Sequence, residues 1–236
     1  MAVAPRDRLP HKGRAPPLTV PVTPPAPTLR PHAVAGGSEA ERPLFGSYEV
    51  NERCIEMLGN AARHEQDRPF ALVSDLRALL KSLDPPTRQR AARAAFVLVD
   101  MEFANPDWWH TARTHPSQQM RPPLWRGCFP RPTAIQLARA TLLLAWNGLR
   151  ADPVTARILL GMAPGVSEII AGLRFDEIDR IAQKRFRHVR PRWDDRPAVW
   201  RRLLLAAQGD DEKLMGEFNL QGVQLLVGEL LPSDRG

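Results

Sequence analysis

Arg174-Phe175-Asp176-Glu177-Ile178-Asp179-Arg180-Ile181-Ala182-Gln183-Lys184-Arg185-Phe186-Arg187-His188-Val189-Arg190-Pro191-Arg192-Trp193 is the stretch on which the reading of this chain turns. Phe175, Ile178, Ile181 and Ala182 share one face at helical spacing. Asp176, Glu177 and Asp179 fall in the first turns, and Lys184 to Arg187 close the helix, so charge opposes the macrodipole at both ends. From Lys184 to Arg192 there are five fixed positive charges and His188, with no acid among them. Phe186, Val189 and Trp193 interrupt the run, which lets one side pack while the other is shown. A short, ordered cationic surface suits a phosphate backbone. A solvated helix end is the competing reading. Dipole pairing accounts for Lys184 and Arg185, but not for Arg190 and Arg192, which lie beyond the helix.

The rest of the composition points the same way. The chain has 236 residues, a net charge of +7 and a pI near 10.3. Such a balance favours polyanionic partners. Two cysteines, Cys54 and Cys128, form no CxxC pair, so a zinc ribbon and a redox motif are both unavailable. A reducing, cytoplasmic location is expected. The most apolar run, Ala140 to Leu149, falls well short of a bilayer span, so no membrane is expected as a partner.

Upstream of the opening stretch, Asp152-Pro153 reads as cap and first-turn proline, and Gly161 closes a short helix. Met162-Ala163-Pro164-Gly165 turns the chain into a second one over Val166 to Leu173. This is the outline of a helix-turn-helix, but its second helix offers no Arg, Lys, Asn or Gln to read bases. Before it, Thr133 caps a helix carrying Ile135, Leu137, Ala138, Leu142, Leu143, Leu144, Ala145 and Trp146. A helix apolar on nearly every side needs cover nearly all round. Ile135, Ala138, Leu142, Leu143, Ala145 and Trp146 are therefore expected at a homodimer interface. Downstream, Asp194 or Asp195 is expected to cap a helix holding Val199, Trp200, Leu203 and Leu204. An apolar segment after Asp211 is weakened by Gly216, Gly222 and Gly228.

The fold class expected is all-α. Residues 1–44 hold ten prolines and read as a basic, disordered tail. Residues 45–103 read as a small helical region, with Ala91 to Met101 as its buried helix. Residues 104–132 read as an irregular, proline-punctuated connector. Its Trp108, Trp109 and Trp125 are expected to fold back on the first helices or to anchor a partner. His110, His115 and Cys128 match no zinc spacing, so no metal is expected. Residues 133–232 form the second helical domain.

Several blocks in that domain resemble the FlhD subunit of the bacterial flagellar master regulator. They are Thr141-Leu142-Leu143-Leu144-Ala145, Ala156-Arg157-Ile158-Leu159-Leu160-Gly161-Met162, Ile170-Ala171-Gly172-Leu173, Arg180-Ile181-Ala182-Gln183 and Arg192-Trp193-Asp194. The likeness runs from about 135 to 194 and more loosely to 231. It implies an all-helical subunit that dimerises, joins a zinc-binding FlhC-like partner and activates transcription from flagellar promoters. In that family much of the DNA affinity depends on the partner. Val189 stands where the family usually has a cysteine that cross-links the dimer, and residues 1–134 have no counterpart in it.

The expected function is that of a DNA-binding transcriptional regulator with no cofactor. Lys184, Arg185, Arg187, His188, Arg190 and Arg192 are the expected contacts to promoter DNA, with Arg201 and Arg202 adding to them. Phosphate contacts position without specifying sequence, so base readout falls to the partner. The alternative is a helical adaptor that holds another protein and never touches DNA. An enzyme is not expected, since the sequence lacks a nucleophile elbow, a phosphate loop, an HExxH and a metal cluster.

Overall fold

Helix α1 (Ser47–Arg63) forms where Val50, Cys54, Met57, Leu58 and Ala61 set a helical stripe, and all five are buried. In this computed structural model residues 46–64, 70–115, 129–209 and 211–230 are described. The proline-rich tail, Trp125, Cys128 and much of the expected connector lie outside them. Helix α2 (Ala71–Lys81) packs Leu72, Val73, Leu76 and Leu80 inward and leaves Leu79 half-buried. Asp84 then caps α3 (Pro85–Ala92): its carboxylate accepts from the Thr87 amide at 2.8 Å, with Pro85 in the first turn.

The buried helix expected over Ala91–Met101 does not form. α3 stops at Ala92, and the chain bends irregularly through Ala95-Phe96-Val97-Leu98 into the two-residue strand β1 (Val99–Asp100). Asn51 of α1 supplies the reason. Its Oδ1 accepts from the Leu98 amide at 2.7 Å, and its Nδ2 donates to the Phe96 carbonyl at 2.9 Å and the Ala92 carbonyl at 3.3 Å. One buried amide thus meets backbone groups that a helix would have paired, in a run where β-branched Val97 and Val99 favour extension.

The connector is not wholly irregular either. Asn105 caps α4 (Pro106–Thr114), accepting from the Trp108 amide at 3.0 Å. Trp108 and Trp109 are buried, and the Trp109 indole donates to the Met101 carbonyl at 3.2 Å. α4 lies on α7 and α8, so these tryptophans fold onto the carboxy-terminal helices rather than back onto the first ones.

Helix α5 (Arg131–Ala151) is the apolar helix expected at a homodimer interface, and its own chain covers it. α1, α6, α7 and α8 all pack on it. Ala138, Leu142 and Ala145 are fully buried, while Ile135, Leu143 and Trp146 are half-buried. The Trp146 indole donates to the Leu173 carbonyl at 2.9 Å, and Arg150 lies 4.4 Å over its ring. Part of that cover comes from α1, outside the carboxy-terminal helices.

Asp152 caps α6 (Pro153–Leu160) by accepting from the Val154 and Thr155 amides, each at 3.1 Å. Gly161 ends it at φ 58°, and α7 (Pro164–Ala171) follows at a bend of 118°. Among the described residues no single helix is long and apolar enough to cross a membrane. Helix α8 (Phe175–Arg185) and a 3₁₀ turn (Phe186–His188) lead to β2 (Arg190–Pro191). β2 pairs antiparallel with β1, Val99 opposite Pro191 and Asp100 opposite Arg190. The Arg192 amide donates to the Leu98 carbonyl at 2.8 Å, so by alternation Pro191 occupies a position where no amide donor is needed.

Helix α9 (Pro197–Gln208) starts at its proline, with Arg196 at the cap position, so neither Asp194 nor Asp195 caps it. It packs on α2, α3 and α10 (Glu212–Leu230). α10 is a full helix despite its glycines. Gly222 lets it approach so closely that a Cβ there would fall within the Phe96 ring. The helical regions expected over 45–103 and 133–232 therefore share one core, crossed by a two-stranded ladder.

Candidate nucleic-acid interface

α8 is oriented as its charges predict. The Glu177 carboxylate accepts from the Arg174 amide at 2.9 Å, and Asp176 takes the Arg174 guanidinium at 2.9 Å. At the other end the cations part company. Lys184 and Arg187 are exposed, and the Arg187 guanidinium sits 5.7 Å over the half-buried Phe186 ring, with Arg131 at 5.5 Å from the same ring. Arg185 is buried and turns inward, donating from Nη2 to the His115 carbonyl at 3.0 Å. It thereby holds the last turn of α4, and burial pushes its guanidinium below the ordinary range.

His188 is also inside. Its ring lies 4.8 Å from that of Trp108, and its Nδ1 is 3.5 Å from a Glu102 carboxylate oxygen. Arg190 is partly exposed but committed across the ladder. Its Nε and Nη2 reach Asp100 Oδ2 at 2.9 and 2.8 Å, and its Nη1 lies 3.6 Å from Asp194. Burial alone would lower its pKa, but Asp100 and Asp194 outweigh that and raise it.

Arg192 is as enclosed as His188, 4 % exposed. Its guanidinium donates to the carbonyls of Val97 at 3.0 Å, Leu160 at 2.6 Å and Val99 at 3.4 Å, and lies 4.0 Å from Asp100. Gly161 makes room for it: a Cβ there would come within 2.7 Å of Arg192 Nη1. Asp100 is buried among these charges. Burial would push its carboxyl up, yet Arg192 and Arg190 hold it below the usual carboxylate range. Asp194 goes the other way. Burial raises it to about 6, against the pull of Arg190, and its Oδ1 accepts no hydrogen bond.

Of the expected DNA-contact set, Arg185 on α8, His188 on the 3₁₀ turn and Arg192 just after β2 turn to the interior, and Arg190 on β2 to an internal carboxylate. Lys184, Arg187, Arg201 and Arg202 remain at the surface. They do not belong to one element. Arg201 donates to the Asp75 carbonyl of α2 and Arg202 to Gln221 of α10, whereas Lys184 and Arg187 end α8 and its 3₁₀ turn.

Neither a family model, a curated protein nor a solved structure matches this chain.

A cleft of about 610 Å³ opens beside the ladder, bounded by Asp100, Arg190, Trp193, Arg196, Gln224 and Glu229. Both signs of charge line it, so it does not focus a field on a polyanion. Arg196 pairs with Glu229 at 3.5 Å, and the Trp193 indole donates to the same carboxylate at 2.7 Å. Asp100, Glu102 and Glu229 are the acids that sequence reasoning missed. Asp100 carried a legible signal, being the lone charge in the run from Ala94 to Met101. Among the described residues no group of three or more His, Cys, Asp or Glu side chains is placed to hold a metal.

The exposed apolar side chains include Leu220 and Val227 on α10, at 63 and 40 %. Seven residues apart, they share one face of that helix. The face also carries Gly216, beside which the space is open.

Proposed function

We propose that this chain is a helical regulatory subunit of the FlhD type that acts on promoters through an FlhC-like zinc-binding partner, and not by laying its own arginine-rich segment on the duplex. The inward commitment of Arg185, Arg190 and Arg192 carries the reading. Three of the strongest phosphate donors are already engaged within the chain, and withdrawing a buried guanidinium from its partners costs several kcal/mol, roughly 3–5. Lys184, Arg187, Arg201 and Arg202 add sequence-independent attraction once a complex is on DNA. The exposed α10 face, with Leu220 and Val227, is the surface offered to the partner.

The test is promoter binding by the chain alone, by the FlhC-like subunit alone and by the two together, at several salt concentrations. The expected result is that the chain alone binds a flagellar promoter no better than a charge-matched control. The pair binds tightly, and Leu220→Glu with Val227→Glu abolishes pairing. Tight, salt-steep binding by the chain alone, lost on reversing Lys184 and Arg187, would overturn the reading.

A further inference from the structure

The ladder joins residues that stand in the same place in two similar halves. Nine buried positions of α1 recur in α5 at a constant spacing of 87, from Ser47 and Ala134 to Ala62 and Leu149. α2 and α7 end at Lys81 and Ala171, and α3 and α8 start at Pro85 and Phe175, each pair 90 apart. Leu76 and Leu80 of α2 and Leu83 just after it are buried, and so are Val166 and Ile170 of α7 and Leu173 just after it, 90 residues on. Asp100 and Arg190 are likewise 90 apart, and they face each other in the ladder. An antiparallel pair between equivalent residues places a two-fold axis between them.

Local backbone detail repeats as well. Glu102 and Trp193 are the described non-glycine residues with positive φ, at 57° and 55°. After each, a proline starts a helix, Pro106 for α4 and Pro197 for α9. In each helix a buried indole donates to the carbonyl eight residues back: Trp109 to Met101 at 3.2 Å, Trp200 to Arg192 at 2.6 Å. These pairs are all 91 apart. Unrelated helices have no reason to share a strained φ, a proline start and the same indole bond in that order.

The packing completes the relation. α4, from the first half, lies on α7 and α8 of the second, and α9, from the second, lies on α2 and α3 of the first. Each exchanged helix ends on an arginine of the half that receives it. Arg185 reaches the His115 carbonyl at 3.0 Å, and Arg90 reaches the Ala207 carbonyl at 2.6 Å. α6 and α10 fall outside the repeat.

We infer that the chain is an internal pseudodimer: two copies of one helical unit, residues 47–114 and 131–208, paired about a two-fold axis between Asp100 and Arg190 with their fourth helices exchanged. The partner that seals α5 is the chain's own first copy, where the FlhD resemblance leads one to expect a second chain. One chain then presents what two copies would present elsewhere, and the two copies are free to differ. Phe96 is buried under α10, whereas its equivalent Phe186 is half-exposed beneath two guanidiniums.

The inference is tested without DNA or any partner protein. Val99 and Pro191 face each other directly, at a spacing a disulfide spans. In Val99→Cys/Pro191→Cys, with Cys128→Ser, oxidation is expected to form that bridge within one chain. Mass spectrometry then maps it to residues 99 and 191 at a single-chain mass of 26.4 kDa. A bridge that joins two chains overturns the inference. Should the variant fail to fold, sedimentation of the unmodified protein decides. A monomer is expected, and a dimer that separates only on unfolding refutes the pseudodimer.

Discussion

Replacing Arg192 by alanine separates an interior role from a phosphate-binding one. The guanidinium donates to three backbone carbonyls at 3.0, 2.6 and 3.4 Å and stands 4.0 Å from Asp100. A hydrogen bond from a charged donor contributes about 1.5–3 kcal/mol, and the long third contact contributes least. Breaking a buried ionic group by removing one partner costs about 3–5 kcal/mol. Two good bonds plus the loss at Asp100 therefore put Arg192→Ala at a loss of about 3–5 kcal/mol, against a total stability of about 5–15 kcal/mol for an ordinary domain. The melting temperature should fall by roughly 10 °C or more. Arg192→Lys should recover little, because one ammonium cannot reproduce a planar fork spread over separate carbonyls. Urea unfolding followed by tryptophan fluorescence measures this directly, since Trp193 and Trp200 adjoin the site. Lys184→Ala and Arg187→Ala are the controls, expected within about 0.5 kcal/mol of the parent. If Arg192→Ala unfolds like the parent yet loses promoter affinity, the guanidinium faces a ligand and the interior assignment is wrong.

Asp194 predicts a pH effect of definite sign. Its folded pKa of about 6 lies above the ordinary value of 3.8, so its contribution to stability is full below about pH 4 and is lost as pH rises through 6. Asp194→Asn should be more stable than the parent by about 2–3 kcal/mol at pH 7.5, and the advantage should vanish near pH 4 in paired urea titrations. Asp100 has the opposite sign: its lowered pKa gives stability present above the ordinary carboxylate range and lost as pH falls through its folded value. Acid unfolding should therefore persist in Asp194→Asn. Gly222→Ala drives a methyl into the Phe96 ring, and overpacking of this kind costs about 1–3 kcal/mol; limited proteolysis should show α10 released first. Trp109→Phe and Trp200→Phe each delete an indole bond to the equivalent carbonyl. Each should lose about 1–3 kcal/mol in thermal unfolding, and a large loss at one with none at the other would contradict the equivalence of the two halves.

The sequence yielded the helices whose signals are local. Asp152-Pro153 caps a helix as read, Asp84-Pro85 does so by the same local chemistry, and the apolar stripe of α1 is buried. It failed where a distant group decides. Nothing within Ala91–Met101 reveals that Asn51 takes the Leu98 amide, so an alanine-rich start and an apolar run read as helix. The fourfold cover of α5 was invisible for the same reason, since it comes partly from a helix some eighty residues earlier. The internal repeat escaped notice because its identities are sparse: Leu83 with Leu173, Ala92 with Ala182, Phe96 with Phe186, Val99 with Val189, Trp109 with Trp200. What repeats is which positions are buried, and that becomes visible only once the halves are laid on each other.

The same logic explains why the cationic stretch misled. Charge density along a sequence counts arginines but not the carbonyls they face. Arg190 on β2 and Arg192 just after it sit at the centre of the molecule, where two-fold pairing crowds backbone oxygens from both halves and leaves few helical donors to meet them. Arginine suits that place because its fork serves several acceptors at once, and Asp100 offsets part of its charge. A run of arginines that crosses a pseudo-two-fold axis is thus built for the seam between two copies. Within that run Lys184 and Arg187, which precede the seam, keep the exposure that a phosphate backbone needs.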